Sequence, residues 1–395
     1  EDDARPAEKQ GTLINMPNIP TERTKAMRAF KPQNQPETID ADYEEIETGD
    51  GGVVVRFGGP ELLEDDDTDD DLYEQAEDEA FYGNLSEHMS ESELAALAAD
   101  LLEEIDTDIQ KMSVWVSNYE LGIDLLGIKV KKPRGEATGE GVSQVDHPLL
   151  VDACIGGAST ALGEMLPASG PVKIDNSGRQ SAINDTQANK LERSMNSFLT
   201  KKCPEYYPDT DQMFFQWYFG GMGIKKVYHC PLRRRPASDA VRPGDFIVSN
   251  DATSLYNCGR KTHREKMRQS VMKRMQYLGE YRDIELVMPT DNLTGIERKI
   301  DQVQGVQSNT DRVEDTEYTI YEVYSDRVIV GDEHKENGKV TGLPRPYIIT
   351  IERDTRVVLS IRRNWRKDDP NFTERRRFVA YRLLPMFGFY ASGLV

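Results

Sequence analysis

Between Arg260 and Leu278 the chain concentrates cations: Arg260, Lys261, Arg264, Lys266, Arg268, Lys273 and Arg274. Met267, Val271, Met275 and Leu278 recur at helical spacing through the same stretch, which predicts a basic amphipathic helix. Guanidinium and ammonium groups on one helix can neutralise backbone phosphates, a chemistry that is electrostatic and blind to base sequence. The competing reading is a solvated face whose cations pair with acids on a neighbouring subunit, and the acidity of the chain favours it.

Other constellations carry less. His229, Cys230, Cys258 and His263 are zinc-ligand types, but no compact CxxC knuckle is present. Asp209, Asp211, Asp245 and Asp251 are the carboxylates nearest to predicted core elements, where a two-metal nuclease would need them. Asp209 and Asp211 read better as cap and turn residues. Nucleophile elbows, HExxH and Walker motifs are absent. Gly220, Gly221 and Gly223 follow a helix and precede a strand, the reverse of the order that cradles phosphate, so they read as a tight turn. The expectation is a protein without catalytic activity, cofactor or bound metal.

The charge is uneven. Of a net −20 over 395 residues, the stretch Asp40 to Gln110 carries −25, with Arg56 as its single base. Residues 1–39 balance, which leaves the body from Lys111 onward mildly basic. Four widely spaced cysteines suit a reducing compartment with free thiols. No apolar run reaches the roughly 18 residues of a membrane span. The chain begins at Glu1 and stops at Leu394-Val395 inside an apolar segment, which suggests part of a longer polypeptide.

The elements that would position these groups are predicted as follows. Residues 1 to about 83 lack sustained periodicity, apart from one short strand over Val53–Phe57, and run almost wholly acidic from Glu64 to Asp71. Ser90 and Glu93 have capping-box spacing, and Leu94, Leu97, Ala98, Leu101, Ile105, Ile109 and Met112 continue a helix to about Leu121 with an acidic outer face. Helices follow over 149–166 and 185–199, with a short strand at Val172–Ile174 between them. Cys203–Cys230 is the most aromatic stretch. It predicts a buried helix over Met213–Phe219, capped at Asp209-Thr210, and a strand over Ile224–His229. Arg233–Arg235 lie in an exposed loop, and Asp245–Val248 is a strand. From Glu285 the pattern turns β, with strands in 316–330, 347–351, 357–365 and 378–384 and a hairpin at Asn337-Gly338. Helices and then strands, not alternating units, give an α+β class.

Several stretches in fixed order resemble the portal proteins of tailed bacteriophages. They are the Pro-Glu-Tyr-Tyr-Pro-Asp segment from Pro204 with its glycine turn and Lys225-Lys226-Val227-Tyr228; Val241–Val248 followed by Asn250–Thr253 and Thr262-His263; and Arg376 through Pro385 to Phe389–Leu394. Upstream, Leu121–Gly127 and His147–Leu150 fit the same series.

The resemblance implies a non-enzymatic subunit of a portal-like ring of twelve. It would sit at one capsid vertex of the virion, be assembled in the host cytoplasm, and pass double-stranded DNA without sequence preference. Its further partners would be the terminase, a head-tail adaptor and the major capsid protein, with no membrane. The portal division would be an extended acidic N-terminal arm (1–83), a wing-like α+β body (84–255), a stem-like helix (256–285), a β-rich clip-like module (286–375) and a return strand (376–395) leading into a further C-terminal part. The alternative class is an acidic structural or scaffold protein of a virion without a DNA channel. Val53, Val54, Val55, Phe57, Leu62 and Leu63 are the expected apolar anchors of the arm, for which a strand added to a neighbour's sheet edge is one mode of docking.

Overall fold

The computed structural model describes residues 80–126, 148–175, 182–288, 293–304, 316–385 and 387–395, together with the backbone of two strands further upstream. Those strands, β1 (Tyr43–Glu47) and β2 (Val53–Phe57), form an antiparallel hairpin that sets Val54 opposite Ile46. The expected strand over Val53–Phe57 is therefore present. The extended course of the arm and the burial of its anchors, including Leu62 and Leu63, lie outside the described residues.

Ser90 starts the longest helix, α1 (Glu91–Leu125), through the capping box expected from the sequence: its hydroxyl oxygen accepts from the Glu93 N–H, and the Glu93 carboxylate accepts from the Ser90 N–H. Leu94, Ala98, Leu101, Ile105 and Met112 are buried along one stripe. Two further helices, α2 (Leu149–Met165) and α3 (Ala182–Ser197), match their predicted positions, and α3 ends in a short π turn at Phe198–Lys202. The expected strand at Val172–Ile174 does not form. Its backbone is held instead by the side-chain amide of Asn196, which accepts from the Val172 N–H and donates to the Val172 carbonyl, both at 2.9 Å.

The aromatic helix α4 spans Tyr206–Gly220, about two turns more than the expected Met213–Phe219, and it can start ahead of Pro208 because that residue sits in the first turn, where no N–H is required. Asp209 and Thr210 are consequently inside the helix and do not cap it. The Asp209 carboxylate accepts from the Ala240 N–H, and the Thr210 hydroxyl donates to the Tyr206 carbonyl. Phe214 and Phe219 are buried, but the largest fully buried side chains among the described residues lie elsewhere, at Trp365, Tyr321, Tyr324 and Tyr347.

Two sheets carry the rest. The smaller is antiparallel, in the order β12–β3–β4, from β3 (Met222–Cys230), β4 (Arg235–Val241) and β12 (Phe378–Arg382). The larger is a five-stranded antiparallel sheet of β5 (Phe246–Val248), β6 (Arg260–Arg268), β7 (Glu317–Arg327), β10 (Arg345–Glu352) and β11 (Val357–Arg363), in the order β11–β10–β7–β6–β5. Between β7 and β10 a two-residue hairpin joins β8 (Lys335–Glu336) to β9 (Lys339–Val340). Asn337 and Gly338 both have positive φ there, as their dipeptide predicts.

The expected helix over Arg260–Leu278 is corrected. Its first nine residues are β6, and only α5 (Gln269–Tyr277) is helical. The sheet also crosses the boundaries drawn from the portal resemblance, since strands assigned there to body, stem and clip pair side by side in it. A last helix, α6 (Gly295–Gln304), lies within the region read as β. The molecule is α+β, as expected.

Alternation along the strands directs successive side chains of the large sheet to opposite faces. One face carries α1, and the other carries the small sheet and the segment entering β12. The free edge of β11 is closed by Asn84, whose amide accepts from the Ile361 N–H at 3.0 Å and donates to the Leu359 carbonyl at 3.1 Å. An uncovered edge would otherwise pair with another chain.

The C-terminal segment locks the assembly. The Leu383 N–H donates to the Gly221 carbonyl and the Leu394 N–H to the Tyr218 carbonyl. Gly221 has φ +82°, and a Cβ there would overlap the backbone of Ser392. Gly221→Ala is therefore expected to cost about 2–4 kcal/mol in urea unfolding, from left-handed strain plus overpacking. Gly163→Ala, whose Cβ would meet open space inside α2, should be neutral or stabilise by up to about 1 kcal/mol. Equal losses in both variants would show that the C-terminal segment does not close on this turn.

Candidate functional site

Each of the five cations that β6 brings into the sheet meets a carboxylate of its own chain. On the face toward α1, Arg260 donates through Nε and Nη2 to Asp108, at 3.0 and 2.6 Å, and also pairs with Glu104. Arg264 pairs with Asp245 at 2.9 Å, and Lys266 with Glu297 at 2.8 Å. On the opposite face Lys261 bonds both oxygens of Glu374, at 2.8 and 2.7 Å. Arg268, mostly exposed, reaches Glu317 at 3.4 Å. Lys273 and Arg274 lie on α5, are exposed, and form no ion pair with any described residue.

The acids of α1 that were expected on an outer face are partly turned inward. Glu91 pairs with Arg282, Asp100 and Glu104 pair with Arg327, and Asp108 is buried against Arg260. The intersubunit reading of the basic stretch is thus replaced, for these residues, by pairing within one chain. Loop arginines behave likewise: Arg233 bonds Asp239 at 2.8 Å and Arg235 bonds Glu205 at 2.6 Å, so neither is simply solvated.

Glu297 serves two elements at once. Its carboxylate accepts from the Thr294 N–H at 2.9 Å in a capping box that starts α6, and also takes Lys266. Burial opposes its ionisation, but the Lys266 ammonium and the Thr294 N–H outweigh that and hold the carboxyl below its usual range.

One cluster was not foreseen. Glu322 of β7 is buried between the two sheets, 2.5 Å from Lys226 Nζ of β3 and 3.8 Å from His263 Nδ1 of β6. Burial disfavours its charge, but Lys226, His263 and Arg377 overcome that and hold the carboxyl far below its usual range. The signal in the sequence is an acid in the middle of the apolar run Tyr318–Tyr324.

Three of the four carboxylates weighed as metal ligands are occupied with other work, Asp209 with the Ala240 N–H, Asp245 with Arg264 and Asp251 with Lys111, while Asp211 is exposed on α4. Among the described residues no group of three or more His, Cys, Asp or Glu side chains is arranged to hold a metal ion. The four cysteines are free thiols. No described helix is long and apolar enough to cross a membrane.

No protein-family model and no curated protein sequence matches the chain.

Two variants test the pairing. Lys266→Glu sets like charges against Glu297 and should cost on the order of 2–3 kcal/mol in urea unfolding, a buried-pair penalty discounted for residual exposure. Lys273→Glu should be neutral to within about 0.5 kcal/mol. Glu322→Gln tests the inter-sheet cluster. A depressed folded-state pKa contributes stability that is present above the ordinary Glu value, about pH 4.3, and is lost as pH falls through the depressed value. The parent should therefore lose stability steadily on acidification below about pH 4.5, and the glutamine variant should start lower and show a shallower loss. Parallel acid profiles would contradict the assignment.

Proposed function

We propose that this chain is the subunit of a phage portal: a ring at one capsid vertex through which double-stranded DNA enters and leaves, and on which the packaging terminase and tail components dock. The observation that carries the reading is that the separate sequence blocks resembling portal proteins pack into one unit. Phe378 pairs with Lys226, so block three flanks block one in the small sheet, and Val241, the first residue of block two, pairs with Ile224 at the end of the strand on the other side. The Tyr390 hydroxyl donates to the Phe246 carbonyl and accepts from the Val248 N–H, both at 3.0 Å, tying the last block to the second. Val395 abuts Gly122 of the upstream block. Blocks that recur in order and also assemble into one core are what an inherited framework produces, whereas chance matches would scatter.

Surface character supports the same reading. Leu149, Ile155 and Met165 of α2 and Leu191 and Met195 of α3 stand exposed, apolar surface of the kind that subunit packing covers. The chemistry proposed is positioning and passage, without a catalytic step. Of the seven cations named from the sequence, Lys273 and Arg274 are exposed and form no ion pair with a described residue, and they are the ones free to meet backbone phosphates.

Negative-stain images of the full-length protein should show closed rings with an axial hole, the outcome of a heterologous interface whose rotation closes. Particles that are only monomers or twofold dimers would sink the reading. In assembled rings, Lys273→Glu with Arg274→Glu should weaken DNA retention without sequence preference and leave ring formation intact.

A further inference from the structure

A cavity of about 450 Å³ opens beside the inter-sheet cluster, walled by β3, β6, β7 and β11 and by the segment that leads into β12. Most of its charge is balanced locally. Lys226 is taken by Glu322, Arg362 pairs with Glu280 at 2.9 Å, and Arg363 pairs with Asp332 at 2.9 Å. Arg375 and Arg377 are different. Both line the cavity, and neither forms an ion pair with a described carboxylate. Arg375 lies over the Tyr82 ring, 5.4 Å from its centroid, and Arg377 adds its field to the buried Glu322. Arg376, between them, turns away and stacks 4.1 Å from the Tyr256 ring centroid. Extended backbone thus delivers two guanidinium groups, two residues apart, to one mouth.

We propose that this cavity is a binding site for a phosphate dianion. A guanidinium fork bonds carboxylates and phosphates alike, but a tetrahedral dianion offers oxygens and charge to two forks at once, where a monocarboxylate serves one. Lys226 below them, though shared with Glu322, keeps the local potential positive. Tyr82 holds Arg375 by its ring face and so limits the freedom lost on binding. Glu265, which lines the cavity without an ion pair to a described residue, opposes the anion and sets a ceiling on affinity. The site belongs to the folded chain and stands whether or not the chain closes into a ring.

The test is calorimetric titration of the full-length protein with sodium phosphate at pH 7.5 and low salt, with sodium acetate as the monoanion control. One phosphate per chain is expected, with acetate silent. Arg375→Gln combined with Arg377→Gln should weaken binding at least about tenfold, the factor that one charge-assisted hydrogen bond carries. Glu265→Gln should tighten it severalfold, a change in the opposite direction that damage to the fold cannot imitate. No saturable heat with phosphate, equal binding of acetate, or an affinity unmoved by the double arginine variant would overturn the proposal.

Discussion

A cation enters a protein sheet only with its counter-charge. Five of the nine residues of β6 are Arg or Lys, and removing any of them from water without a partner would cost several kcal/mol. The structure meets that constraint by drawing carboxylates from elements far apart in sequence: α1 for Arg260, the turn before β5 for Arg264, the cap of α6 for Lys266, and the approach to β12 for Lys261. The positions of α1 and α6 over the sheet follow from this as much as from apolar contact. The stripe of α1 supplies burial that is non-directional, while the arginine forks fix which residue of the helix meets which strand.

The same constraint accounts for where the sequence could be read and where it could not. Local signals were legible because they act within a few residues. Ser90 caps α1 through Glu93, Asn337-Gly338 turns a hairpin, and Gly221 ends α4 in the left-handed region. Arg260–Arg268 was not legible. Its Arg, Lys, Glu and Met favour helix, and nothing in it is Val or Ile. Tertiary pairing overrides that preference, since β6 bonds β7 along its whole length and β5 on the other side at Lys261–His263. The helical stripe was still half right: Met267 at the end of the strand and Val271 and Met275 on α5 join one apolar cluster with Tyr281 and Leu359. Spacing found residues that share a core but did not reveal the change of backbone between them.

The candidate site divides along the same line. Seven cations were identifiable from composition, but their partners were not, because every ion-pair partner of the five on β6 comes from a segment at least fifteen residues away. The Glu322 cluster was hidden for a related reason. A single acid in an apolar strand reads as an irregularity until a second sheet brings Lys226 to it.

The C-terminal segment shows how such long-range demands are coordinated. It donates to the carbonyls of Tyr218 and Gly221 at the end of α4, it supplies β12 to the small sheet, and its Tyr390 ring stacks on Trp115 of α1 at 5.1 Å. The Trp115 indole in turn donates to the Ala391 carbonyl at 3.2 Å. The last twenty residues therefore touch α1, α4, β3 and β5, which are elements from both sheets and from the helical layer. A chain organised in this way cannot finish its core until its final described residues arrive. The ion pairs that align α1 with the large sheet can form earlier, since they need nothing beyond β7, whereas Lys261 must wait for Glu374 and the Lys226–Glu322 pair for the two sheets to meet.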